Sequence, residues 1–141
     1  MNNDGQAKAQ PSDTEPFGEV IYSYTRKQAL ADGVQVDVSQ TAEQAGFRIP
    51  VFMTDTVFNG YVHVPEGMEG YENEDDRLKH ILVALHNAIA NSKTQQDRLH
   101  FRIYVCNNLR GAEIIDLYSV CAAVDIDDPA PSITIMLPHE D

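Results

Sequence analysis

The chain has 141 residues and a mass of 15.7 kDa, which is the size of a single domain. Its 22 Asp and Glu residues against 10 Lys and Arg residues give a formal net charge of −12. This charge argues against nonspecific binding to nucleic-acid phosphates or anionic membranes, because both surfaces are also negative.

The first sixteen residues differ in composition from the rest of the chain. They are polar and contain no apolar run, which is typical of a flexible leader and not of a secretory signal. The sequence nowhere contains the run of about eighteen apolar residues that crosses a membrane. Two cysteines are too few for a disulfide scaffold. We therefore expect a cytoplasmic protein with reduced thiols, in which a leader at residues 1–16 precedes one domain at residues 17–141.

Short elements follow the leader. β-branched and aromatic residues predict strands, and capping residues and glycines mark where helices begin and end. The predicted elements are a strand at Glu19–Tyr24, a helix from Thr25 to Ala31 followed by Gly33, a strand across Val34–Val38, a helix from Ser39 or Thr41 to Gly46, and a helix from Thr54 to about Gly60.

The clearest helix pattern begins after Asn73, a favourable N-cap residue. Acidic residues fill the first turn, where they stabilise the helix dipole. Apolar residues then recur at spacings of three and four, at Leu78, Ile81, Leu82, Leu85, Ala88 and Ile89. The pattern predicts a helix that ends near Ala90 and packs its apolar stripe against a sheet.

The C-terminal third predicts that sheet. Residues 98–106 alternate between apolar and polar side chains, Asn107–Gly111 has turn composition, and residues 113–124 complete a hairpin whose paired residue numbers sum to about 218–221. Asp127–Pro131 is expected to interrupt the chain, and Ser132–Leu137 to form a last short strand with an exposed edge. The predicted fold class is α+β: an antiparallel C-terminal sheet of about three strands or more, packed by one long helix, with a small N-terminal αβ segment.

The predicted hairpin register bears on the two cysteines. It places Cys106 and Cys121 about 20–30 Å apart along the strands, which excludes a disulfide between them. The same register brings Cys121 near His100, so a cysteine–histidine nucleophile is one hypothesis. Against it, positions in the middle of a strand rarely carry an exposed nucleophile.

The histidines offer little metal chemistry. Asp76 and His80 are four residues apart and share a helix face, whereas His80 and His86 are six apart and point to different faces. A catalytic zinc ion needs three protein ligands, and no HExxH motif supplies them. We therefore expect no metal and no cofactor. If the protein is nevertheless a small hydrolase or a ligand-binding protein, Asp76, His80 or His100 is the candidate site residue.

The densest acidic run consists of Glu66, Glu69, Glu72, Glu74, Asp75 and Asp76. A solvated loop followed by a helix N-terminus is the simplest interpretation. Imitation of duplex DNA requires a much denser array, because DNA carries one phosphate per about 1.7 Å. It is conceivable only if this run and Asp125–Asp128 lie together on one side of the domain.

Three segments carry a resemblance to a known family: Glu19–Val38, Ala45–Val51 and Ile133–Asp141. Together they resemble an uncharacterised domain of unknown function that is encoded on bacterial plasmids, phages and integrative elements. The resemblance covers roughly residues 17–62 and 98–141 and carries over no catalytic residue. The resemblance implies that the gene is found among accessory genes that help mobile DNA to persist, including antirestriction and anti-CRISPR genes.

We therefore expect a non-enzymatic accessory protein that binds another protein through the acidic run. A basic nucleic-acid-binding surface on a host defence or replication protein is the natural complement, because opposite charges steer encounter and set specificity. Direct binding to nucleic acid or to membranes is not expected. A homo-oligomer formed through the free sheet edge is a further possibility.

Overall fold

The computed structural model describes residues 24–94 and 96–140. Within them the fold is α+β, as predicted: one five-stranded mixed sheet, one long helix and a small N-terminal αβ segment. The predicted leader, and all but Tyr24 of the predicted strand Glu19–Tyr24, lie outside the described residues. No helix in the described part of the chain is long and apolar enough to cross a membrane.

The N-terminal segment contains short elements at the predicted places, and in addition a strand at Val51–Thr54 that was not predicted. They are α1 (Arg26–Ala31), β1 (Gln35–Asp37), α2 (Ser39–Gln44), β2 (Val51–Thr54), α3 (Asp55–Val57) and a π-helical turn (Phe58–Val62). Thr25 and Gln28 form a capping box at the start of α1. Gly46 follows α2 with a φ of 103°, a conformation that favours glycine. The predicted start and stop residues of these two helices are therefore confirmed.

The long helix α4 spans Glu74–Asn91, within one residue of the predicted end. Asn73 caps it by accepting a hydrogen bond of 2.8 Å from the backbone N–H of Asp76. The apolar stripe lies against the sheet, with Ile81, Leu82 and Leu85 almost fully buried. These contacts anchor the helix and fix the direction of its acidic N-terminal end.

The C-terminal sheet contains β3 (Arg98–Val105), β4 (Glu113–Asp125) and β5 (Asp128–Met136), followed by a 3-10 turn at Pro138–Glu140. β3 and β4 pair from Arg98↔Val120 to Val105↔Glu113, so that the paired numbers sum to 218. The predicted hairpin register is therefore confirmed at its lower bound.

The order of the strands differs from the prediction. It is β1-β2-β5-β4-β3, and β2 runs parallel to β5. The prediction that Ser132–Leu137 is an exposed edge is therefore wrong, because β5 lies between β2 and β4. Alternation along a strand identifies the strand and its faces, but it contains no information on which neighbours the strand acquires.

The predicted interruption at Asp127–Pro131 is also wrong, because β5 begins at Asp128. β2 pairs with β5 only at Ile133–Ile135, and the backbone N–H of Ile133 donates to Pro50 on that side. Pro129 and Pro131 are four and two residues before Ile133, so their backbone nitrogens point to the same side of β5 as that of Ile133. At these two positions β2 does not pair with β5. A proline is tolerated there because no hydrogen bond of the ladder is lost.

The sheet has two different faces. α2 and α4 cover the inner face of the sheet. The core side chains of the helices and strands meet there, among them Val51, Met53, Leu117 and Ile135. α1 lies on the outer face through Arg26, whose guanidinium carbon is 4.0 Å from the centroid of the Phe52 ring. The outer face of β3 and β4 stays more open, and the facing pair Tyr104 and Ile114 are 63% and 58% exposed.

Candidate functional site

The predicted acidic run surrounds the N-terminal end of α4, in the preceding loop and the first helical turn. Five of its carboxylates are exposed and Glu72 is partly buried. We call this surface the acidic end; its members are Glu66, Glu69, Glu72, Glu74, Asp75 and Asp76.

Few cations neutralise the acidic end. Lys79 pairs with Asp75 at 3.0 Å, and the imidazole of His63 lies 3.1 Å from Glu74. Both contacts are exposed and are therefore weak. Among the described residues, the third cation paired with this surface is Arg77, which contacts Glu72 at 3.3 Å, is buried and stabilises the fold. The acidic end thus presents most of its negative charge to the solvent.

Arg77 ties together three segments beneath the acidic end. Its Nε donates to the carbonyl of Val62 at 3.1 Å, and its Nη1 donates to the carbonyl of Cys106 at 2.8 Å and to Glu72 at 3.3 Å. Its Nη2 donates to Asn107 at 2.6 Å. Arg77 was not among the predicted site residues, although its spacing of four from Ile81 places it on the apolar face of the helix.

A cavity of about 280 Å³ opens beside Arg77. Asp76 and His80 both line it, as their shared helix face predicts, and Glu72 and Cys106 line it as well. One carboxylate oxygen of Asp76 accepts a hydrogen bond from the Asn73 side chain at 2.9 Å. Among the described residues, no group of three or more His, Cys, Asp or Glu side chains can hold a metal ion.

His100 lies on the other side of the sheet. Its Nε2 is 2.9 Å from Asp116, which also accepts a hydrogen bond of 2.8 Å from Arg102. The hydrogen bonds from Arg102 and His100 lower the pKa of Asp116. The sheet therefore separates His100 from Asp76 and His80, and these three residues do not form one site.

The structure also contradicts the proximity of Cys121 and His100. Cys121 lies opposite Asp97, whose carbonyl accepts its backbone N–H at 2.7 Å, whereas His100 lies opposite Tyr118. Residues 118 and 121 differ in parity, so the two side chains lie on opposite faces of the sheet. Both cysteines are free thiols.

The second acidic segment, Asp125–Asp128, lies at the far end of the domain. The carboxylate of Asp125 accepts hydrogen bonds from the backbone N–H groups of Ile126, Lys27 and Arg26, at 2.8, 3.0 and 3.1 Å. These bonds lower its pKa and hold the start of α1. The 13 residues of β4 separate this segment from the acidic end by about 40 Å. The two segments do not come together, so the condition for DNA mimicry is not met.

Comparison with known proteins gives a family and no activity. The chain matches the model of a family of unknown function, DUF6573, over residues 16–141. No curated protein matches the chain, and no solved structure matches it.

Proposed function

Because the chain belongs to a family of unknown function, DUF6573, we propose its role from its surface. The protein is a non-enzymatic accessory protein that binds another protein, and the acidic end is its binding surface. The observation that carries this proposal is the gathering of six carboxylates, five of them exposed, around one helix end. Among the described residues, Arg77 and Lys79 are the Lys and Arg side chains that form ion pairs with them.

The loop of the acidic end is held in place, which favours a binding role. Met68 is buried, and its backbone carbonyl accepts hydrogen bonds from the N–H groups of Tyr71 and Glu72 at 2.9 and 3.0 Å. This anchor holds Glu66 and Glu69 at the surface, so that little conformational entropy is lost when a partner binds. Tyr71 is 70% exposed beside them, and tyrosine is enriched at the energetic centres of interfaces.

The chemistry of the acidic end specifies the partner. A protein with a basic surface, such as a nucleic-acid-binding surface, meets it with complementary charge, which accelerates encounter and raises specificity. Direct binding to nucleic acid is disfavoured by the formal net charge of −12.

The biological setting rests on the resemblance of the sequence. The segments Glu19–Val38, Ala45–Val51 and Ile133–Asp141 support an accessory gene of a plasmid, phage or integrative element. An antirestriction-like or anti-CRISPR-like role in the cytoplasm fits an acidic protein that occupies the nucleic-acid-binding surface of a defence protein.

Affinity capture with charge variants tests the proposal. The tagged chain is compared with Glu66→Gln/Glu69→Gln, which removes two charges from the acidic end. The control, Glu43→Gln/Asp127→Gln, removes two exposed charges elsewhere and leaves the same net charge. We expect one partner protein that the control variant captures as well as the wild type does. The acidic-end variant should capture several-fold less of it. Equal retention by both variants contradicts the proposal.

The cavity beside Arg77 favours a second candidate function, a small hydrolase or a ligand-binding protein that uses Asp76 and His80. In that case His80→Gln abolishes ligand binding or turnover but leaves capture of a basic protein partner unchanged. A thermal-shift screen of metals and metabolites on the wild type and on His80→Gln separates the two functions. A ligand that stabilises only the wild type supports the second candidate.

A further inference from the structure

Ser119 is exceptional among the buried polar side chains. The described residues contain four of these: Arg77, Ser119, Ser132 and Thr134. Arg77 is hydrogen-bonded as described above, and the hydroxyls of Ser132 and Thr134 accept from the guanidinium of Arg26. Ser119 is only 5% exposed, and its hydroxyl makes no hydrogen bond to any described residue. A buried hydroxyl normally has a partner, so its environment calls for an explanation.

Ser119 lies on the floor of a cavity of about 320 Å³ on the inner face of the sheet. It is paired with Leu99 on β3 and Ile135 on β5. Two residues further along β4, Cys121 is paired with Ile133 and lies on the same floor. Ile89, near the C-terminal end of α4, forms part of the wall.

The end of α4 and two small side chains produce this cavity. The helix ends at Asn91, and Ser92 leaves it in an extended conformation with ψ at 131°. β4 continues to Asp125, so the sheet beside the helix end is not covered by α4. Ser119 and Cys121 are too small to fill the space above them. A cavity that opens to the solvent, with one unpaired hydroxyl, is thus left beside the end of α4. Its apolar lining residues are Ile89, Leu99, Cys121 and Ile133, and Ser92, Lys93, Thr94, Gln96 and Asp97 form its polar part.

We propose that this cavity binds a small apolar molecule that carries one hydroxyl group, which hydrogen-bonds to Ser119. The apolar surfaces of Ile89, Leu99 and Ile133 provide the contacts for its hydrocarbon part. Lys93 and Asp97 carry opposite charges at the same cavity, so it favours a neutral ligand over an ion. A volume near 320 Å³ is at the lower end of the range for ligand sites, which limits the ligand to a small molecule.

The helix end adds a preference for a hydrogen-bond donor. The C-terminal end of α4, where Ile89 and Ser92 line the cavity, is the negative end of the helix dipole, and the carbonyl of Ile89 accepts the backbone N–H of Ser92. A hydroxyl group can donate a hydrogen bond while it accepts one from Ser119, whereas a carboxylate can only accept. The site uses no residue of the acidic end, which is 18 helical residues and about 27 Å away.

Protection of Cys121 tests the proposal in the full-length wild-type chain. Benzyl alcohol is the probe, and toluene is the matched probe without the hydroxyl. Alkylation by iodoacetamide is followed by mass spectrometry at both thiols, with Cys106 as the internal control because it lies outside the cavity. We expect benzyl alcohol to slow alkylation of Cys121 and to leave that of Cys106 unchanged.

The variant Ser119→Ala separates hydrogen bonding from simple filling of space. It should weaken the binding of benzyl alcohol by roughly threefold to tenfold, which corresponds to the loss of one hydrogen bond, and leave the affinity for toluene unchanged. Chemical-shift changes at residues 119, 121 and 133 of the wild type provide a readout that needs no variant. Absence of protection and of shift changes up to the solubility of benzyl alcohol overturns the proposal, as does an equal affinity of Ser119→Ala for it.

Discussion

Replacement of Arg77 by methionine should destabilise the whole domain, although it changes one residue near the start of α4. Methionine retains much of the apolar stem but no donor. The carbonyls of Val62 and Cys106 and the carboxylate of Glu72 would lose hydrogen bonds of 3.1, 2.8 and 3.3 Å. Asn107 would lose its bond of 2.6 Å as well.

The magnitude follows from the burial of Arg77, whose side chain is 4% exposed. Hydrogen bonds from charged donors contribute about 1.5–3 kcal/mol each, but bonds to one guanidinium do not add. Part of the loss is recovered because a buried cation no longer needs to be desolvated. Leaving the carbonyls of Val62 and Cys106 and the amide oxygen of Asn107 without a donor costs about 1–3 kcal/mol each, and because these losses do not add we expect a total of about 3–5 kcal/mol for Arg77→Met.

Urea unfolding of Arg77→Met against the wild type measures the effect. The expected loss in the free energy of unfolding corresponds to a fall in Tm of about 10–20 °C for a domain of this size. The m-value should stay constant if only the native state is affected. Lys79→Met is the control, because its exposed pair with Asp75 contributes no more than about 0.5 kcal/mol. A loss for Arg77→Met below about 1 kcal/mol, or equal to that of the control, refutes the reasoning.

Two further predictions concern a helix end and an exposed carboxylate. Gly46→Ala should lower the free energy of unfolding by more than Gly33→Ala. A Cβ atom at Gly46 would lie 3.0 Å from the His86 ring, whereas a Cβ atom at Gly33 would have no heavy atom outside its neighbours within 4 Å. Equal losses of stability in thermal unfolding of the two variants contradict this prediction. The pKa of Asp116 is lowered in the folded protein by the hydrogen bond from Arg102, so the contribution of Asp116 is present above its unfolded pKa and is lost as the pH falls through its folded pKa. The free energy of unfolding of Asp116→Asn should therefore fall less than that of the wild type as the pH is lowered through this range. Unfolding curves measured at a series of pH values test this, and the same fall for both proteins argues against it.

Local elements were predictable from the sequence where one physical rule dominates. Asn73 and the apolar spacing from Leu78 to Ile89 specify α4, because capping and burial of one stripe act in the same direction. The β3–β4 hairpin follows from alternation on both sides of a turn-forming segment. These features depend only on neighbours in the sequence.

The position of β5 was not predictable in this way. Its pairing with β2 joins Ile133 to Val51, which are far apart in the chain, and no local pattern encodes that choice. Pro129 and Pro131 indicate a break if the strand has neighbours on both sides. They are compatible with β5 because β2 ends its pairing before it reaches them.

The candidate site was predictable only in part. The shared face of Asp76 and His80 follows from their spacing, and both line the cavity at the acidic end. The buried guanidinium of Arg77 and the unpaired hydroxyl of Ser119 depend on tertiary packing. From the sequence alone, Arg77 is expected to be a surface cation and Ser119 an ordinary strand residue.

Capture of a partner by the acidic end at two salt concentrations tests the central claim most directly. The tagged wild-type chain and Glu66→Gln/Glu69→Gln are exposed to bacterial lysate at about 0.05 M and about 0.5 M salt, which shortens the screening length severalfold. The account predicts one basic protein that the wild type retains at low salt, and that high salt or the double substitution releases. A partner that both chains retain equally at both salt concentrations, or no partner at all, contradicts it.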